Sequence, residues 1–150
     1  MNVEPDGMLK WITIKETGKL TYVIEQFRWN KWVKVGEVEG NGTTSENNYS
    51  FKVTPHSGEN QFRVKQVDYT SQPRYSKPIK FQSTAAVVET INLRVKDNLE
   101  FTGETMFEIY DKFGNIVKKG YGQKVDLTSL VKDVYYLNYD NKTTEFIKSK

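Results

Sequence analysis

The chain offers one histidine, His56, and no cysteine. A histidine works as a general base only when a second group orients its ring. His56 lies in the turn-like run Pro55-His56-Ser57-Gly58, where spacing supplies no such partner, so a solvated ring is expected. The absence of cysteine excludes disulfide scaffolds, thiolate metal sites and cysteine nucleophiles together. Carboxylates remain. Glu37 with Glu39, and Glu104 with Glu108, fall two and four residues apart, which places each pair on one face of a strand. Solvated carboxylates are the ordinary outcome there, and a perturbed acid pair is the exception. Asp111 with Asn115 and Asp140 with Asn141 carry oxygens suited to calcium but lack the spaced acidic ligands of an EF-hand loop. They read as Asx-type turns. No dyad, triad, metal set or cofactor motif emerges, and the expected role is non-catalytic.

Aromatic residues suggest a different chemistry, recognition of sugar rings. Phe27, Trp29, Trp32 and Tyr49 are the rings that could form such a surface, with Trp29 at a hairpin turn and Trp32 just after it. An exposed patch of such rings would make a glycan platform, whereas single exposed rings are ordinary on protein surfaces.

The remaining composition narrows the partners. Of 150 residues, 37% are hydrophobic and 13% aromatic, the mix of a folded protein. Net charge is +3, but the basic residues alternate with acids instead of forming a stripe, so no nucleic-acid partner is expected. No apolar run approaches the roughly 20 residues of a transmembrane helix. The opening Met1-Asn2-Val3-Glu4-Pro5-Asp6-Gly7 lacks a basic start and an apolar core. A secreted protein would therefore be represented here by a fragment.

These residues must be positioned by strands, since the dominant period is two, in runs rich in Val, Ile, Thr, Tyr, Phe and Trp. Runs at Leu9–Thr13, Tyr22–Phe27, Trp32–Val38, Tyr49–Val53, Asn60–Val67 and Tyr75–Phe81 are separated by turn signals at the spacing of a sandwich. The pattern lapses over residues 82–90 into a stretch of small and polar residues with one charge, Glu89, before resuming. An all-β chain is expected, with two tandem Ig-like or fibronectin type III-like antiparallel sandwiches over 1–81 and 91–150, joined by an 82–90 linker. Modules of this size lie near the lower limit for a self-sufficient core.

The first module resembles a fibronectin type III-like domain through Leu9-Lys10-Trp11, Tyr22-Val23-Ile24-Glu25-Gln26, Val35-Gly36-Glu37-Val38, Tyr49-Ser50-Phe51 and Phe62-Arg63-Val64-Lys65-Gln66-Val67-Asp68. Trp11 then falls on the second strand, leaving the first either missing or very short. Phe62 stands where such sandwiches place a tyrosine whose hydroxyl bonds back to the backbone. The second module runs Phe107–Tyr110, the turn Asp111–Asn115, Ile116-Val117, Val125–Leu130, Val134–Tyr139, the turn Asp140–Lys142, then Thr143–Ile147. This series resembles the C-terminal sorting domain of proteins exported by the bacterial type IX secretion system. The usual Pro-Asn-Pro is here Asn92-Leu93-Arg94, and the usual glycine before the penultimate strand is Asp133.

The resemblance implies a module that directs export and attachment of a cargo to the outer-membrane cell surface, with the first module as spacer or interaction domain. The implied partners are the type IX translocon and its sortase, with surface lipopolysaccharide as the attachment point. Translocon recognition would fall on Gly114, Asp133, Tyr135, Lys142, Phe146, Ile147 and Lys148. Sortase cleavage would fall in the linker at Ser83, Thr84, Ala85 and Ala86. The alternatives are a surface carbohydrate-binding module using Trp29 and Trp32, and a scaffold component of a surface or gliding complex. In a terminal strand, capture by β-augmentation competes with simple completion of the sandwich.

Overall fold

Branched and aromatic residues alternate with polar ones along most of the chain, and these runs become strands, except that the one expected over Tyr75–Phe81 is broken at 76–78, before and at Pro78, into two short strands. The computed structural model describes residues 1–149, which are all-β without a helix. Two units are present, one of Met1–Pro55 and Glu59–Ser83, the other of His56–Gly58 with the chain from Thr84 onward.

The first unit contains β1 (Asn2–Val3), β2 (Met8–Thr13), β3 (Thr21–Arg28), β4 (Lys31–Glu39), β5 (Asn47–Lys52), β6 (Gly58–Val67), β7 (Pro73–Tyr75) and β8 (Ile79–Ser83). One sheet has the order β1-β2-β5 and the other β4-β3-β6-β7, with β8 also pairing β6. The first strand is therefore present but only two residues long, opposite Leu9 and Lys10. Period-two alternation sends Leu9, Trp11 and Tyr49 inward from one sheet and Tyr22, Ile24, Phe62 and Val64 from the other. Trp11 stacks on Tyr49 at 5.4 Å and meets the edge of Tyr22 at 5.8 Å, an aromatic centre for this Ig-like sandwich.

The second unit contains β9 (Arg94–Val95), β10 (Asn98–Tyr110), β11 (Ile116–Asp126), β12 (Asp133–Tyr139) and β13 (Lys142–Lys148), in the order β11-β10-β12-β13-β9. The long β10–β11 ribbon loses register between Glu100 and Thr105, and such an irregularity bends a ribbon. Its far end, with Thr90 bridged to Phe101, closes over the same core that Phe107, Ile109, Tyr135, Leu137, Tyr139 and Phe146 fill. Val88 also enters that core, and Glu89 and Ile91 exchange backbone hydrogen bonds with Thr102 and Glu100.

A tyrosine corner closes this second sandwich. The Tyr135 hydroxyl donates to the Val131 carbonyl, four residues upstream, at 2.7 Å. In the first unit the residue considered for that role is Phe62, fully buried and without a hydroxyl.

Candidate functional site

The residues that could do chemistry are drawn into structure. His56, expected in solvent, is buried, with its Nδ1 2.7 Å from the Ser57 carbonyl. The reason lies in its neighbour. Within the second unit, Ser57 donates to both carboxylate oxygens of Asp140, from its N–H at 2.9 Å and from its Oγ at 2.5 Å. Asp140 also accepts from the Val88 N–H at 3.3 Å, while its own N–H donates to Thr105 Oγ1 at 2.8 Å. Asp140 is thus a buried cross-link, where an Asx turn was expected. Its backbone lies at φ 46°, a conformation Asp tolerates better than most residues. Burial opposes its charge, but the Ser57 bonds outweigh this and hold the carboxyl below its usual range. Histidine, serine and aspartate are close, and Ser57 Oγ donates to Asp140.

Asp111 does form the expected Asx turn. Its Oδ1 accepts from the N–H groups of Phe113 and Asn115, each at 2.9 Å, and the Asn115 bond leads in lowering its pKa. Glu108 is buried and accepts from the Tyr110 hydroxyl at 3.0 Å and Asn138 Nδ2 at 3.2 Å. Glu37 pairs with Lys34. Among the described residues no group of three or more His, Asp or Glu side chains is gathered to hold a metal ion. None of their helices is long and apolar enough to cross a membrane.

The seven residues associated with sorting separate by exposure. Gly114 sits at the tip of the β10–β11 hairpin at φ 84°, with nothing within 4 Å of the place its Cβ would occupy. Beside it, Phe113 is 78% exposed. Ile147 is exposed on β13. Lys142 is half-buried, ion-paired with Glu89 at 2.7 Å and held 5.4 Å above the Tyr139 ring. Asp133 has no positive φ; its Oδ1 accepts from the Val134 N–H, and Lys112 pairs with it at 3.1 Å. Tyr135, Phe146 and Lys148 are buried. These three pack within the folded domain and offer no side-chain surface.

β13 is not a bare edge. β9 runs parallel to it at Ile147 and Lys148, and Leu93 and Val95 accept from the N–H groups of Ile147 and Ser149. Just before β9, Asn92 Oδ1 accepts from the Arg94 N–H at 3.0 Å, an Asx turn that leads into the strand. Ser83 ends β8 and is half-buried, whereas Thr84, Ala85 and Ala86 lie outside any strand and are exposed.

Trp29 and Trp32 are each held by an arginine. Trp29 occupies the hairpin tip at φ 53°, half-buried, with Arg28 4.6 Å from its ring and its own Nε1 buried without a hydrogen-bond partner. Trp32 packs on Phe27 at 5.2 Å. Arg63 lies 4.2 Å from Trp32 and 4.0 Å from Tyr75, between the two rings, while its Nε donates to Glu25 at 2.7 Å. Sequence pattern alone does not reveal this ladder, nor the Glu16–Tyr49 bond at 2.5 Å. Period two puts Glu25, Arg63 and Trp32 on faces of strands, but only the register β4-β3-β6-β7 brings those faces together.

No protein-family model matches the chain, and no curated protein matches it either.

Proposed function

We propose that the chain is a non-catalytic recognition tail: a fibronectin-like module followed by a sorting domain that directs a cargo through the type IX secretion system to the cell surface. The observation that carries this reading is the second unit, a sandwich whose chemistry-bearing groups are spent on its own closure while its hairpin tip at Gly114 and the β13 residue Ile147 stay exposed. Asp140, Glu108 and Lys142 all hold protein partners. Groups consumed in this way orient a binding surface instead of turning over a substrate.

The exposed Thr84–Ala86 stretch, outside any strand, suits removal by a sortase, because proteolysis favours exposed loop segments with small side chains. The test is to attach residues 1–150 to the C-terminus of a secreted reporter in a type IX-competent bacterium and to map the exported reporter's new C-terminus by mass spectrometry. A terminus between Ser83 and Val88 is expected. Export of an uncut fusion would remove the sortase step, and no export at all would remove the function.

A further inference from the structure

The loop between β4 and β5 holds the pair Asn41-Gly42, whose chemistry is independent of the sorting reading. Asparagine is among the thermolabile residues, and a following glycine, with no Cβ, leaves the way to its amide open. In the reaction of such a pair the backbone nitrogen of Gly42 loses its proton and bonds to Asn41 Cγ. The Cγ–Nδ2 bond breaks, and ammonia carries that proton away from the resulting succinimide. Water then opens the ring, leaving aspartate or isoaspartate. Asn41 is exposed and residues 40–46 lie outside any strand, so sheet pairing does not restrain the two residues.

Side chains restrain them instead. The Gly42 N–H, whose proton must leave, donates to Glu16 Oε1 at 3.0 Å. Glu16 is buried and accepts from Tyr49 and Thr13 through Oε2. A proton taken up by this carboxylate would weaken those bonds, and its negative charge opposes an amide anion at Gly42. Glu16 therefore guards the nitrogen and does not activate it. The Asn41 amide, the group to be lost, is held as a donor: Nδ2 donates to Asn47 Oδ1 at 3.1 Å. Asn47 is buried, and a turn of its own amide would forfeit two bonds, Thr43 Oγ1 to Oδ1 at 2.8 Å and Nδ2 to the Ser45 carbonyl at 3.0 Å. The Asn41 N–H is fixed as well, on the Tyr49 hydroxyl at 2.8 Å.

We infer that Asn41-Gly42 is a latent modification site, kept as asparagine by Glu16 and Asn47, whose conversion to aspartate or isoaspartate opens the loop. The product does not fit where the amide did. An oxygen replaces Nδ2 and faces Asn47 Oδ1, acceptor against acceptor, while a second carboxylate joins Glu16 in the same loop. Loss of ammonia makes the change one-way.

The experiment ages the full chain in mildly alkaline buffer and follows Asn41 by peptide mapping with mass spectrometry, beside a synthetic peptide of residues 37–46. Conversion in the full chain should be about tenfold or more slower than in the peptide, since reaction waits for the loop to open. Asn47→Ala and Glu16→Gln, each confirmed folded by circular dichroism, should move the rate toward that of the peptide. Should either fail to fold, Asn41→Asp at its exposed position mimics the product, and amide exchange at Gly42 should then quicken by about tenfold. Conversion at or above the peptide rate in the full chain, unchanged rates in the folded variants, or unaltered Gly42 exchange in Asn41→Asp would each overturn the assignment.

Discussion

The hydroxyl of Tyr49 donates to Glu16 Oε2 at 2.5 Å, across 33 residues of sequence, and ties the loop before β3 to β5. The same hydroxyl accepts from the Asn41 N–H at 2.8 Å, and Gly42 donates to the other Glu16 oxygen at 3.0 Å. Thr13 Oγ1 also donates to Glu16 Oε2. A carboxylate supplied with so many donors serves as an organising anion for the Gly40–Thr44 loop.

Two pH limits follow for the first unit. Burial works against the charge of Glu16, but bonds from Thr13, Tyr49, Gly42 and Asn41 hold its pKa below the ordinary value. Its contribution to stability is thus present above the unfolded carboxylate pKa of about 4.3 and lost as pH falls through the lower folded value. Burial and the Glu16 bond raise Tyr49 to about 12, so its contribution is present below the unfolded value and lost as pH rises through about 12. Tyr49→Phe should cost about 1–3 kcal/mol at neutral pH by leaving a buried carboxylate short of a donor. Urea midpoints measured against pH, for wild type and for Glu16→Gln, check both limits: the difference between the two proteins should shrink in acid.

The Trp32–Arg63–Tyr75 ladder depends on a flat cation. Arg63→Lys keeps the charge but loses planar stacking and the Nε bond to Glu25, so a loss of about 1–2 kcal/mol is expected. Denaturation of Arg63→Lys, of Trp32→Ala and of the double variant measures the coupling. Simple additivity would show that the ring and guanidinium do not act together.

Asp140 holds its place by conformation and by bonding. Asp140→Ala removes the acceptor for Ser57 and puts an unsuited residue at φ 46°, for an expected loss of about 3 kcal/mol. Asp140→Asn tolerates the left-handed backbone and keeps one carbonyl acceptor, so its loss should be clearly smaller. Unfolding of the second unit by urea distinguishes them, and equal losses would contradict the assignment.

The strand pattern was legible because period-two burial is a local property. Trp11, Tyr22, Phe62, Leu137 and Phe146 point inward where alternation puts them. The fates of His56 and Asp140 were not legible. Their turns look alike in sequence, yet Asp111 bonds to its own loop while Asp140 reaches Ser57, 83 residues away, and only the tertiary fold chooses. The Asn92 turn was legible in principle, since Asn bonding two residues ahead is a local signal. Among the proposed sorting residues, the same alternation puts the neighbours Phe146 and Ile147 on opposite faces of β13, one buried and the other exposed.

Gly114 separates conformation from recognition. At φ 84° with open space around it, Gly114→Ala should cost about 1 kcal/mol through backbone strain alone, and Gly114→Asn less. If the tip is read by a translocon, export of a fused reporter should fall in both variants by more than their thermal stabilities predict. Export that tracks stability would make the glycine purely structural.

The most direct measurement of the central claim is the surface fraction of a reporter carrying residues 1–150 at its C-terminus, assayed by external protease in a type IX-competent strain and in its translocon-deficient counterpart. A sorting domain predicts surface exposure in the first and periplasmic retention in the second. Retention in both strains, or exposure in both, would contradict it.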